Sequence, residues 1–314
     1  MRKKITYFSL YIIFSFQLFA EGSVSGKVFY NYTTSLDTSG SNAFNMKRAY
    51  LTFANNINEA VYYKVTYDMG NNDGGSAHTA FLKVASVTWK TSFGDMSIGM
   101  LGMNMFKTME NTWGHRFIQK MPMDTYGFSP SADLGIGISR KFGSISTKTL
   151  LTNGVGYKKI ENDKYKKFST HFVYGEPQLN KMDGFNIGSS LSIEPYDDIN
   201  NIKKNSLVTG FFIGFGGSGF RGGGEFDTKQ KDDITSQIIC AYGTYKVSKN
   251  LSLLIRVDQV DRDTSINQDE TIALVAGAHY TIDKGLIVAP TFRMTTPEKG
   301  NAENKIIVNL QFSF

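Results

Sequence analysis

Charged side chains recur at every second position along several stretches of the chain, a spacing that suits electrostatic attraction better than covalent catalysis. Between positions 61 and 68, for example, Lys64 and Asp68 lie on the face opposite Val61 and Val65. A period of two is typical of a β-strand with one polar face. Applied to the whole chain, this rule selects as polar-face candidates Arg48, Lys64, Asp68, Arg221, Glu225, Arg256 and Arg293.

Cations outnumber anions among the charged residues that the alternation places on the polar face. If this face borders water, its positive charge raises the local concentration of anions. We therefore expect a mild anion preference that weakens as salt is added. In an alternative interpretation, the charges pair with one another and only solvate the polar face.

One segment, residues 104–132, is much longer than an ordinary connection and carries charges of both signs. Loops longer than about 12–15 residues are usually functional or disordered. Mixed charges on large side chains would suit a segment that folds into a passage and sets its width. Alternatively, the segment packs on top of the fold or at a contact between subunits. The candidate constriction residues are Lys107, Glu110, Arg116 and Asp124.

Motifs for enzyme chemistry or cofactor binding are weak or absent in the sequence. Residues 214–219 match G-x-G-x-x-G, but the glycine-rich stretch after them does not open a helix, as a dinucleotide site requires. The histidines have no metal-ligand spacing, and no nucleophilic elbow occurs. The formal net charge is +6 with no basic block, so nucleic acid is not an expected partner. We expect no catalytic residues, no cofactor and no metal.

The elements that must position these charges are short alternating strands. In the last ten residues, Ile306, Val308, Leu310, Phe312 and Phe314 form one apolar face. About sixteen such segments of roughly ten residues follow one another, which is the length that a membrane-spanning barrel strand needs. The expected fold is an all-β transmembrane antiparallel barrel in a single domain, residues 21–314. A soluble β-sandwich is the alternative.

Connections alternate between short and long, as they do in outer-membrane barrels. Short turns are predicted near residues 55–59, 93–95, 142–144, 177–183, 216–219, 248–250 and 283–285. Longer loops are predicted at 70–77, 104–132, 154–163, 195–205, 228–233, 262–269 and 296–303. The alternation is ambiguous at 81–89 and 207–215, where we expect bulges.

Aromatic residues cluster at strand ends, where amphipathic rings would form a girdle at each membrane interface. The predicted girdle residues are Tyr67, Trp89, Phe142, Tyr174, Tyr242, Tyr280, Phe292 and Phe314. The single cysteine, Cys240, alternates with Ile238 and Tyr242 and is expected to face lipid.

The only continuous apolar segment is residues 5–20, after Arg2, Lys3 and Lys4. A basic start, a short apolar centre and a small residue at Ala20 predict a cleaved signal peptide over residues 1–20. An uncleaved anchor helix is the alternative, although the segment is short for a bilayer. Export is therefore expected.

Two blocks resemble bacterial porins related to the phosphate-selective family. The first is Phe44-Asn45-Met46-Lys47-Arg48-Ala49-Tyr50-Leu51 with Tyr67-Asp68, which is similar to the opening hairpin; the second is Glu110-Asn111-Thr112-Trp113-Gly114-His115-Arg116 with Ser131-Ala132-Asp133-Leu134-Gly135, which is similar to the third-loop region. The resemblance implies a trimeric, water-filled outer-membrane pore of sixteen strands with an inward-folded third loop. The aromatic C-terminus resembles the signal that the barrel-assembly machinery recognises. No arginine ladder is apparent, so phosphate selectivity does not follow.

The expected function is passive diffusion of small hydrophilic solutes and ions, with a mild anion preference. A phosphate-specific pore is a narrower form of this hypothesis. A barrel with an enzymatic role, or a plugged barrel with a structural or adhesive role, is the alternative from another class.

Overall fold

The computed structural model describes residues 22–37, 40, 42–71 and 78–314. The predicted signal peptide and most of the predicted loop at 70–77 lie outside the described residues. The described residues form sixteen strands and two short helices, with these bounds: β1 Ser23–Ser35, β2 Asn42–Asn56, β3 Val61–Asn71, β4 His78–Thr91, β5 Gly94–Gly102, α1 Lys107–Trp113, α2 Pro122–Thr125, β6 Ala132–Phe142, β7 Ile145–Thr152, β8 Lys167–Gly175, β9 Gly184–Asp197, β10 Lys203–Gly217, β11 Phe220–Lys231, β12 Ile234–Lys246, β13 Leu251–Asp261, β14 Thr271–Asp283, β15 Leu286–Pro297 and β16 Glu303–Ser313.

The sixteen strands close into an antiparallel barrel in which each strand pairs with its neighbours in sequence. Closure is made by β1 and β16, which pair from Lys27 opposite Ser313 to Ser35 opposite Lys305. A closed barrel satisfies the backbone hydrogen bonds of every strand and leaves no open edge. The predicted fold class and strand number are confirmed.

The two faces of the wall differ in polarity in the way that the alternation predicts. Ile98 and Phe211 are each 61% exposed on the outer face, whereas Asn309 and Asp68 are fully buried on the inner face. In β16, Ile306, Val308 and Phe312 point outward. Among the described helices, none is long and apolar enough to cross a bilayer.

Short turns occupy one end of the barrel and most of the longer loops the other, but two predicted loops are shorter than expected. The loop predicted at 228–233 is a two-residue turn, because the β11–β12 ladder continues to Lys231 opposite Ile234. Asp232 takes a left-handed conformation in this turn, with φ of 55°. The loop predicted at 195–205 shrinks to residues 198–202 for the same reason.

The bulge predicted within 81–89 is present as a register shift between β3 and β4, at Thr66 and Tyr67. The bulge predicted within 207–215 is absent, since β10 pairs regularly with both neighbours. The pattern there is ambiguous because Val208 and Phe212 are apolar yet face the interior. The reason is that this part of the interior is filled by protein.

The predictions that Cys240 and Tyr242 on β12 face outward are wrong. Ile238, Cys240 and Tyr242 are at most 6% exposed and face the interior, while Ile239 on the opposite face is 50% exposed. Tyr242 packs against Trp113 and is therefore not part of the aromatic girdle. The other seven predicted girdle residues are at least 37% exposed.

A constricted channel beside the third loop

The third loop, residues 103–131, folds into the barrel and carries its own apolar core. Its large side chains Met105, Met109, Trp113, Ile118, Met121 and Met123 are at most 1% exposed. They pack against interior-facing side chains of the wall, among them Phe212, Ile238 and Tyr242. The inward fold of this loop is thus confirmed, and it fills the interior on the side of β8 to β15.

Local sequence explains the shape of the loop. Gly114 caps the C-terminus of helix α1; its φ of 72° is left-handed and its N–H donates to the Glu110 carbonyl at 2.9 Å. Glycine adopts this conformation without the steric cost of a Cβ atom. Helix α2 begins at Pro122, a residue that suits the first turn of a helix because it lacks an N–H.

Arginines of the wall hold the loop by its backbone carbonyls. The Arg221 guanidinium donates to the Trp113 carbonyl at 3.3 Å. The Arg293 guanidinium donates to the Ile118 carbonyl and to the Gln119 side chain, the latter at 2.8 Å. Further bonds join Tyr242 to the Met109 carbonyl, Ser190 to the Met105 carbonyl, Asn104 to the Lys148 carbonyl and Thr108 to His171.

The loop leaves an open passage on the opposite side, beside β1 to β4. Two cavities of about 500 Å³ and 460 Å³ lie along it, and both are lined by Tyr50 of β2 and Arg116 of the loop. Tyr50 and Arg116 therefore mark the boundary between the two cavities. Among the described residues, the lining side chains include one carboxylate, Glu110, and eight cations: Lys27, Lys47, Arg48, Lys64, Lys83, Lys107, Arg116 and Lys120.

The charges on the loop form one connected network. Arg116 lies 2.5 Å from Glu110 and 3.0 Å from Asp124. Lys107 pairs with Glu110 at 2.6 Å and Lys120 pairs with Asp124 at 3.2 Å. Burial alone would raise the pKa of Glu110, but Arg116 and Lys107 lower the pKa to about 2. Glu110 is therefore ionised at neutral pH, and the loop keeps a fixed charge pattern.

The facing wall is organised around Asp68, which is fully buried. Its carboxylate pairs with Arg48 at 3.3 Å and with Lys83 at 3.4 Å. It also accepts a hydrogen bond of 2.7 Å from the hydroxyl of Tyr157. Tyr157 belongs to the loop between β7 and β8, and Lys83 lies 5.2 Å from the centre of its ring. A second loop therefore reaches this side of the passage.

Solved structures match this arrangement over nearly its whole length, whereas no family model and no curated protein matches the sequence. OmpF of Salmonella typhi, in complex with daunomycin, aligns with a TM-score of 0.73 and 12% identity over 93% of this chain and 97% of that chain. The anion-selective porin of Comamonas acidovorans gives 0.73 and 10%, over 94% and 99%. A mutant of Rh. blastica porin gives 0.63 and 12%, over 94% and 100%. The protein has the porin fold.

Within this porin fold, the sequence-predicted residues separate into two groups. Arg48, Lys64, Lys107, Glu110 and Arg116 line the open passage. Asp68 and Asp124 lie directly behind it, paired with the lining cations. The residues that alternation and loop length predicted are therefore close together in the structure on the side of the open passage.

The remaining wall candidates face the interior but lie beneath the third loop, so they do not line the passage. Arg256 is 1% exposed, pairs with Asp258 at 2.7 Å and lies 5.6 Å from the centre of the Trp113 ring. Glu225 is 5% exposed and its carboxylate has no hydrogen-bond partner among the described residues. Arg221 and Arg293 hold the loop. The expectation that Glu225 and Arg256 border open water is wrong, because the loop covers them, whereas Arg221 and Arg293 are half-buried with their guanidinium groups bound to the loop.

Lys47, Lys120 and Tyr157 lie on this side of the passage but are not among the sequence-predicted site residues. Lys47 is missed because a bulge at Tyr30 leaves it as an extra residue in β2, so that Lys47 and Arg48 line the same cavity. Strict alternation puts them on opposite faces. Lys120 and Tyr157 are missed because loop residues have no periodicity from which a direction could be read. Among the described residues, no cluster of His, Cys, Asp or Glu is arranged to hold a metal ion.

Proposed function

We propose that the protein is an outer-membrane channel for passive diffusion of small hydrophilic solutes and ions, with a mild anion preference. The observation that carries this proposal is the lining of the open passage, in which, within the described part of the chain, eight cationic side chains face one carboxylate side chain. One protein that shares the fold, from Comamonas acidovorans, is described as an anion-selective porin. Solutes would be selected by width and charge, with no covalent step.

The preference is expected to be mild because much of the positive charge is already paired. Asp68, Glu110 and Asp124 each contact two cations of the passage. The unpaired remainder attracts anions over a distance of roughly one Debye length, about 10 Å at 0.1 M salt. Anion selectivity should therefore decrease as the salt concentration rises.

Planar-bilayer recording of the purified protein tests the proposal. We expect a steady open conductance. In a KCl gradient, we expect the reversal potential to have the sign that indicates a higher permeability for chloride than for potassium. A plugged structural barrel would give no steady conductance, and a cation-preferring reversal potential would contradict the assignment. Titrating phosphate into the chloride solution distinguishes a general anion channel from a phosphate-specific one, in which phosphate would block chloride current. A hydrolase assay on the same sample tests an enzymatic role.

A pair of substitutions connects the selectivity to the passage. Lys47→Gln combined with Lys120→Gln removes two positive charges from the lining of one cavity, and the anion preference should fall toward zero. Lys249→Gln removes a positive charge in the exposed turn between β12 and β13 and should leave the reversal potential within about 5 mV, because salt screens the charge of an exposed side chain. Equal shifts in both variants would contradict a role for the passage.

The proposal includes the setting of the channel. Residues 1–20 act as a cleaved signal peptide and residues 21–314 form the single barrel domain. The chain assembles as a homotrimer, and the barrel-assembly machinery recognises the C-terminal strand. In this setting, the short turns face the periplasm and the longer loops face the outside, as is usual for such barrels. Mass measurement of the mature protein before and after heating in detergent checks cleavage and assembly together.

A further inference from the structure

We propose that the cavity nearer the short turns contains a binding site for a small anion that carries two or three negative charges, formed by Lys27, Lys64 and Lys107. This inference rests on the proposed channel function and deepens it, because it names a class of solute. Lys27 lies on β1, Lys64 on β3 and Lys107 at the start of α1, and all three line one cavity of about 460 Å³.

The charges of this site are not neutralised by the protein to the extent seen elsewhere in the passage. Neither Lys27 nor Lys64 forms an ion pair or a hydrogen bond with its side chain to any described residue, and Lys107 repels the positive charge of both. Lys107 pairs with Glu110 but its side chain is 62% exposed to the cavity and the channel. By contrast, Arg48, Lys83, Arg116 and Lys120 all pair with Asp68, Glu110 or Asp124.

Unpaired ammonium groups that share a cavity favour a ligand of multiple charge. One chloride ion can offset one lysine, whereas an anion with two or three charges can bridge the wall lysines and the loop lysine at once. A lysine is a compact point charge and does not require the planar, two-pronged acceptor geometry that arginine favours. Polycarboxylates and polyphosphates therefore share the chemistry that the site would recognise.

The position of the site makes its effect directional. It lies on the short-turn side of Tyr50 and Arg116, which separate it from the cavity that Lys47 and Lys120 line. An anion entering from the short-turn side reaches the three lysines before it meets this boundary. An anion entering from the loop side must first pass the boundary. Block of the current should therefore depend on the side of addition.

Single-channel recording in KCl tests the site, with citrate as the polycarboxylate probe and inorganic triphosphate as the polyphosphate probe. We expect each probe to cause brief interruptions of the chloride current at lower concentration when added on the short-turn side. Block by both probes supports recognition of charge, and block by one of them assigns the site to that chemistry. No interruption by either probe would overturn the site while leaving the conductance, and so the proposed channel function, in place.

Two double variants with equal loss of charge locate the block. Lys27→Gln with Lys64→Gln should weaken it roughly tenfold, since the charges that would contact the anion are removed. Lys47→Gln with Lys120→Gln lowers the anion preference but should leave the blocking concentration within about twofold, because only the other cavity changes. If the block is weakened equally in both variants, it depends on the overall electrostatic potential of the passage. That result would overturn the assignment of the site to these lysines. Both variants keep the strand ladder, and their open conductance verifies that they fold.

Discussion

At the scale of single residues, the charge pattern of the passage depends on how Glu110 is balanced by Arg116 and Lys107. The pKa of Glu110 is about 2, below the ordinary value of 4.5, because these two charges outweigh the effect of burial. The stabilisation from this pairing is fully present above pH 4.5 and is lost as the pH falls through about 2. Glu110 should therefore contribute no change in selectivity between neutral pH and about pH 3.

Arg116→Gln removes the larger of the two favourable charges, so the pKa of Glu110 should move up from about 2. We expect the reversal potential of this variant to change with pH in a range where the unmodified protein is constant. Lys120→Gln is the matched control, since Lys120 pairs with Asp124 and not with Glu110. The double variant Arg116→Gln, Glu110→Gln should lose the new pH dependence. If the dependence persists, it belongs to another carboxylate.

Among these residues, the alternation of polar and apolar positions predicts the correct face for some and fails for others. Arg48, Lys64 and Asp68 are predicted correctly to face inward because β2 and β3 obey the period of two in this region. Lys47 is missed because a bulge adds one residue to β2, and this bulge, unlike the one within 81–89, leaves no mark in the polarity pattern. Cys240 is predicted on the wrong face because an apolar side chain packs as well against the apolar core of a loop as against lipid.

At the scale of elements, the third loop is a folded unit that the wall holds in place. Its length and mixed charges indicate that it is special, but its buried methionines and Trp113 contact wall residues more than a hundred positions away in the sequence. Such contacts depend on barrel closure, which local patterns cannot describe. For this reason the sequence predicts that the loop folds inward but not which side of the barrel it fills.

Arg293→Met should loosen this unit without disturbing the strands. The substitution removes the donor that the Ile118 carbonyl and the Gln119 side chain share, and leaves the Ile118 carbonyl with only a longer bond of 3.4 Å from Lys47. Hydrogen bonds to a charged group contribute about 1.5–3 kcal/mol. A loss of that size corresponds to a roughly 10- to 150-fold higher population of displaced loop conformations. We expect frequent transitions to reduced conductance in single-channel records, with little change in the unfolding temperature.

The matched control for this experiment is Lys305→Met. Lys305 lies directly opposite Arg293 in the β15–β16 ladder and also faces the interior, so the same charge is removed from the same level of the wall. Its ion-pair partner is Glu303 of its own strand and not the third loop. Current noise in this variant should remain as in the unmodified protein. Comparable noise in both variants would show that lost charge, and not the lost anchor, is responsible.

At the scale of the whole molecule, the barrel is a wall between two solvents, with its apolar side chains on the outside. This inversion is why a chain with a mean hydropathy of −0.24 can span a bilayer: only every second residue of each strand meets lipid. Strand number and closure follow from the sequence because the alternation repeats in all sixteen segments. Exact strand ends do not, as the tight turn at Asp232 demonstrates, since polar residues are equally suited to a strand outside the bilayer and to a loop.

Two neighbouring substitutions in the middle of β5 test this arrangement. Ile98 is 61% exposed on the outer face, and the adjacent Ser97 faces the interior, where its hydroxyl lies 2.8 Å from that of Thr88. A lysine on the lipid face costs about 2–4 kcal/mol near the bilayer midplane. Ile98→Lys should therefore lower the free energy of unfolding in lipid vesicles by about that amount.

Ser97→Lys introduces the same charge at the same depth, but its long side chain can extend into the water of the interior, so we expect a loss below about 1 kcal/mol. Urea titration of both variants in the same vesicles measures the difference directly. The comparison cancels the effect of overall charge, because each variant gains one lysine and the two positions are consecutive in β5. Equal losses would mean that the two faces of this strand meet similar surroundings, which would contradict a membrane-spanning barrel with a wet interior.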